Sequence, residues 1–141
     1  MKHPAKKIAL LGLCTAIAMV LAWVEIQLPP LVASVPGIKL GLANIITVYA
    51  VYHYKPYEVV LIVAVRLLLG SIFSGNISAL LYSASGSALC LIGMLLLRRV
   101  IAESHLWLAS VFGALLHNTG QLLAAMLLLQ TTGLIAYYPF L

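Results

Sequence analysis

Five runs of apolar residues, each about as long as a helix needs to cross a bilayer, constrain this chain more than any other feature. A spanning helix takes about 20 apolar residues at a rise of about 1.5 Å each. The runs lie at about 6 to 25, 37 to 53, 56 to 74, 77 to 99 and 105 to 131, and each stops at a breaker. Pro29, Pro30 and the Pro36-Gly37 pair interrupt the first connection, Lys55-Pro56 the second, Ser74-Gly75-Asn76 the third, and residues 98–105 the fourth. With 64% of its 141 residues hydrophobic and 8% charged, the chain has no room for a soluble domain. The expectation is one all-α integral membrane domain over residues 1–141, with five transmembrane helices. Residues 133–141 (GLIAYYPFL) read as the start of a sixth.

Lys2, Lys6 and Lys7 ahead of the first run have the look of a secretory signal, yet no small-residue cleavage site follows and more spans do. A retained first helix is the better reading. Lysine and arginine fall on one side of the alternating helices: Lys2, Lys6, Lys7, Lys55, Arg98 and Arg99 against Lys39 alone on the other. By the positive-inside rule the N-terminus is cytoplasmic and the protein is a multi-pass component of the cell membrane.

The net charge of +5 does not signal nucleic acid, because the basic residues are scattered over helix ends. Only Glu25, Glu58 and Glu103 are acidic, and there is no Asp. That excludes paired aspartates holding Mg²⁺ and a Ser-His-Asp triad. No phosphate-binding loop occurs either. Glu25 falls at the outer end of the first run and the other two at cytoplasmic ends, so a carboxylate proton relay is not expected. His117 is then the sole mid-membrane titrating candidate. Cys14 and Cys90 sit singly in apolar runs as small buried hydrophobes, and His117 has no partner at ligand spacing. No metal, cofactor or catalytic residue is expected; binding fits better than catalysis.

Arg66 lies in the middle of the third run, too deep to snorkel, and must face protein, water or ligand. A structural arginine capping carbonyls and a fork for an anionic ligand are about equally good readings. In the fifth run His117 and Gln121 share a helix face, with Asn118 beside them. Interhelical hydrogen bonding explains any one of the three, and a cavity explains them as a cluster. Asn44 in the second run and the Ser78, Tyr82, Ser85 stripe in the fourth fall at the same depth when residues are counted from the outer ends. The shared layer suggests a pocket reached from outside. Residues 27–36 (QLPPLVASVP) are apolar and stiffened by proline, suited to a cover over the outer mouth or to resting on lipid. Ala5, Ala9, Gly12 and Ala16 form a groove of small residues on the first helix, open to internal packing or to a partner.

Four segments stand out together: PGIKLGLAN at 36–44, RLLLGSIFSGN at 66–76, LLYSASG at 80–86 and LLHNTGQ at 115–121. They resemble the Gx transporter family, also named heptaprenyl diphosphate synthase component I, a relative of the substrate-binding S components of energy-coupling-factor transporters. The resemblance implies a six-helix bundle with both termini cytoplasmic. It also implies that the Ala5, Ala9, Gly12, Ala16 stripe docks on a membrane coupling subunit driven by separate ATPases. Asn44, Arg66, Asn76, Tyr82, His117, Asn118 and Gln121 match its motif positions and, with Ser85, are the candidate substrate contacts. The chain departs from the family where a sixth helix would continue past Tyr138-Pro139. Three functions compete: a subunit for uptake of a small molecule, a non-catalytic membrane component of a heptaprenyl diphosphate synthase, and a structural scaffold in the bilayer.

Overall fold

In the computed structural model, residues 4–28 and 41–140 are described. The cover expected at 27–36 and the expected helix start at 37 therefore lie, beyond Leu28, outside them. The described residues form helices α1 (Pro4–Gln27), α2 (Asn44–His53), α3 (Pro56–Ser74), α4 (Ile77–Leu97) and α5 (Leu106–Leu129). Short 3-10 helices cover Glu103–His105 and Gly133–Phe140. Helices α1, α3 and α4 and the stretch 103–129 are each long and apolar enough to cross a membrane. The chain is an all-helical, multi-pass membrane protein.

Helix ends follow local chemistry. Pro56 opens α3, where its missing N–H costs nothing, and the Glu58 carboxylate accepts from the Lys55 backbone N–H at 3.0 Å. Gly75, at φ +61°, closes α3 in the left-handed conformation that glycine adopts without strain. Asn76 then starts α4, its side-chain oxygen accepting from Ala79 N at 3.1 Å.

Two expectations need correction. The second span is a helix of 10 residues, about 15 Å long at the helical rise, about half of a bilayer's hydrocarbon thickness. Gly41, at φ +82°, and the turn at Leu42-Ala43 delay its start to Asn44. Among the described residues, four helices are long enough to span a membrane and the second of the five is short. Residues 133–140 do not begin an α-helical span either. Gln130, at φ +50°, ends α5 and reverses the chain, and the 3-10 helix that follows lies back on α5. Leu134 is buried there among Tyr82, Leu122 and Ala125, and Tyr138 Oη is 3.0 Å from Thr119 Oγ1.

The most extensive pairing is between α4 and α5. Their backbones meet at glycine: a Cβ on Gly120 would stand 2.7 Å from the Ser85 carbonyl oxygen, and one on Gly86 2.7 Å from the His117 carbonyl oxygen. Close approach of this kind is how membrane helices gain dispersion contacts when lipid removes the hydrophobic drive to associate. An apolar cluster drawn from all five helices, including Cys14, Val51, Ile62, Met94 and Ala109, fills the end of the bundle that carries Lys7. Polar ties fasten that end. Lys7 pairs with Glu58 between α1 and α3, Arg98 Nη1 donates to the Val51 carbonyl at 3.1 Å, and Tyr52 Oη donates to the Ile101 carbonyl at 3.1 Å. Along α3, α4 and α5 the next turns toward the other end carry Arg66, Ser87 and His117.

Candidate binding site

The buried face of α1 runs Cys14, Ala18, Ala22, Glu25, a helical repeat of four, four and three residues. It delivers Glu25, only 7% exposed, into a cavity of about 60 Å³ that Ala22 also lines. From α3 the cavity receives Arg66, also 7% exposed, with Leu67, Gly70 and Ser71. From α4 come Ala79, Leu80 and Ser83, and from α5 His117 and Gln121. Gly41 and Ala43, ahead of α2, complete the lining.

Each charged group is held by neighbours. Arg66 Nη2 donates to Ser87 Oγ on α4 at 2.7 Å. Glu25 accepts a hydrogen bond from the Gly41 backbone N–H and lies within electrostatic reach of Arg66. Gln121 Nε2 donates to His117 Nε2 at 2.6 Å, one helical turn away, which fixes the imidazole plane. Gly41 is required here. A Cβ on it would stand 2.6 Å from His117 Cδ2 and 2.7 Å from Asn44 Nδ2, and its positive φ already disfavours a side chain. Irregular backbone at membrane depth is tolerated where it borders protein or a cavity, and the 41–43 segment does so.

Of the residues singled out from sequence, Arg66, His117 and Gln121 meet at the cavity. Asn44 is buried beside His117 at Gly41, and neither of its amide atoms has a hydrogen-bond partner among the described residues. Asn118 is buried on α5 without lining the cavity. Tyr82 sits in the apolar cluster under Leu134, and Ser85 Oγ lies 3.0 Å from each of the carbonyl oxygens of Gly120, Tyr82 and Leu81, alternative acceptors for its one proton. Asn76 caps α4 from an exposed position, and Ser78 is exposed as well. Among the described residues, none of these four lines the cavity.

Glu25, Ser83 and Ser87 belong to the site region and escaped the sequence reading. The sequence signal for Glu25 is the Cys14, Ala18, Ala22 stripe that leads to it, whereas depth alone places it at a helix end. For Ser83 and Ser87 the signal was their spacing of four on the face opposite Ser78 and Ser85.

Outside the cavity, Ala5, Ala9, Gly12 and Ala16 are all exposed, and a Cβ on Gly12 would meet nothing within 4 Å. An apolar groove of about 420 Å³ runs beside them between α1 and α3, lined by Ile8, Leu11, Gly12, Ala16, Leu61 and Val65 among others. Among the described residues, no three His, Cys, Asp or Glu side chains converge as a metal site would require.

The family described as heptaprenyl diphosphate synthase component I matches residues 14–141 of the chain. No curated protein and no solved structure matches it.

Proposed function

Since the chain belongs to the heptaprenyl diphosphate synthase component I family, we propose that within that family it serves as a membrane-embedded, substrate-binding subunit for uptake of a small molecule, energised by partner subunits. One observation carries the reading: a guanidinium, a carboxylate, an imidazole and a carboxamide from α1, α3 and α5 converge on one cavity inside an apolar bundle. Buried ionisable groups are costly in a bilayer and are kept where they bind or transport. The small residues of α1 support the partner half of the proposal. Ala5, Ala9, Gly12 and Ala16 stay on the surface instead of being consumed by internal packing, leaving a groove in which a helix of a coupling subunit with ATPases would fit. The outer half of the bundle, opposite the lysine-bearing cytoplasmic end, is the side from which substrate enters.

The test is direct. Extraction of the protein purified in mild detergent, followed by mass spectrometry, yields a retained small molecule that is missing from Arg66→Ala and His117→Ala preparations of unchanged helicity. Retention unaffected by both substitutions overturns the proposal.

The family's description favours a second reading, a membrane component that partners the other subunits of a heptaprenyl diphosphate synthase. The chain has no Asp to hold Mg²⁺ and diphosphate, so this role is non-catalytic. Mg²⁺-dependent prenyl elongation by the isolated chain would overturn both readings.

A further inference from the structure

We infer that the cavity selects an uncharged molecule that meets Arg66 with carbonyl oxygen, of the amide, lactam or ureide class, and turns ions away; this rests on the substrate-binding reading above and narrows it to a ligand class. Arg66 and Glu25, each 7% exposed, are the two charged groups of the lining among the described residues. They stand within electrostatic reach of one another, and the Gly41 N–H holds the carboxylate as well. The opposite charges offset each other, so the lining is balanced before anything binds. His117 adds no charge. The Gln121 amide nitrogen can only donate, so His117 Nε2 accepts through a lone pair that an imidazolium lacks. An ion entering this low-dielectric site would bring a charge that nothing is left to compensate, and burying such a charge is costly. An anion would in addition stand against Glu25, and a cation against Arg66. An uncharged polar molecule meets neither penalty.

Hydrogen-bonding capacity gives the class. Arg66 has five N–H donors and no acceptor. Ser87 takes one of them at 2.7 Å, while the same side chain lines the cavity. Whatever meets the remaining N–H groups must accept, and a carbonyl oxygen does so with two lone pairs and no charge. Two neighbouring acceptors on one edge, such as a carbonyl oxygen beside an unprotonated ring nitrogen, satisfy a pair of guanidinium N–H groups together, as the edge of guanine does for arginine. The Gln121 carboxamide and the Ser83 hydroxyl line the same cavity. Each can donate or accept, so the N–H of a ligand amide finds its partner as readily as the C=O. Ala22, Leu67 and Leu80 supply apolar wall for the body that carries these groups. Diphosphate accepts as well, but it is multiply charged and fails on that ground.

The experiment uses the intact chain in lipid nanodiscs and follows thermal unfolding by the reaction of the buried thiols of Cys14 and Cys90 with a thiol-reactive fluorophore. Uracil, hypoxanthine and nicotinamide are titrated as uncharged carbonyl probes, and orotate, nicotinate and inorganic diphosphate as anions. In parallel, the molecule retained through mild-detergent purification is identified by accurate mass and fragmentation. The expected result is saturable stabilisation by at least one uncharged probe, with every anion binding about tenfold or more weakly, the least that an uncompensated buried charge implies. Glu25→Gln leaves Arg66 unbalanced, so the ratio of nicotinate to nicotinamide affinity rises by about tenfold or more, a gain that misfolding cannot mimic. If an anion binds the unaltered chain as tightly as any uncharged probe, or if that ratio does not move, the inference is overturned. A retained molecule that is an ion, or that lacks a carbonyl acceptor, overturns it too, and the substrate-binding reading then survives. If none of the six probes binds, an uncharged carbonyl compound among the retained material upholds the inference. If no probe binds and nothing is retained, that reading falls and this one with it.

Discussion

Asn44 buries both ends of an amide, 4% exposed, with no hydrogen-bond partner among the described residues. Leaving such a group unsatisfied costs about 1–3 kcal/mol, whereas an apolar side chain of similar shape avoids the cost. The Asn44→Leu variant is therefore expected to unfold at a higher temperature than the parent when both are ligand-free, and to lose the retained small molecule. A lower melting temperature in the empty variant would show that the amide is satisfied in place. At this scale the sequence was most legible where a polar side chain interrupts an apolar run. Arg66, His117 and Gln121 could be found that way, because lipid gives them no alternative to protein or ligand. Tyr82 and Ser85 obey the same rule, and the structure places the phenol in an apolar cluster and the serine hydroxyl beside neighbouring carbonyls. Glu25 is hidden in the sequence because its place near a helix end suggests solvent, while its helical face, shared with Cys14 and Ala18, turns it inward.

Two glycines on different elements make opposite demands. Gly120 lets α5 approach the backbone of α4, and a methyl group there would press on the Ser85 carbonyl and the Gly86 backbone, neither of which can swing aside. Gly120→Ala should destabilise the protein by about 1–3 kcal/mol, the usual cost of overpacking, as read by thermal unfolding in detergent. Gly12 faces open space on α1. Gly12→Leu should leave the unfolding temperature of the isolated chain unchanged or slightly raised, since leucine forms helix better by up to about 1 kcal/mol. It should at the same time abolish copurification with a coupling subunit. Persistence of that complex would remove the docking role. Helices α1, α3, α4 and α5 were legible because each is a long apolar run bounded by proline, glycine or charge. The start of α2 was not, because hydropathy continues smoothly through Leu40 and Leu42 while the backbone turns at Gly41 for reasons set by α1 and α5. The 3-10 helix after Gln130 was hidden similarly: its apolar side chains suit lipid as well as they suit the surface of α5 that they cover.

For the molecule as a whole, the distribution of lysine and arginine predicts that the Lys7 end faces the cytoplasm. In a background with Cys14 and Cys90 replaced, Thr132→Cys should react with a membrane-impermeant maleimide in whole cells, and Ser104→Cys only after lysis. The opposite pattern would invert the topology. The membrane class was plain from hydropathy, and the cavity was not, because it arises where α1, α3, α4 and α5 and the segment ahead of α2 meet, and no single run encodes that meeting. Gly41 stands at that junction. Its N–H is bonded to Glu25 of α1, and the space its absent side chain leaves is taken by Asn44 of α2 and His117 of α5. Almost any replacement keeps the N–H, so a mutational scan would score Gly41 as a question of volume and miss its electrical contribution. Proline alone removes that donor, and its φ near about −65° cannot match +82°. Tolerance to genetic variation is then narrow at a residue that has no side chain and contributes through its backbone alone.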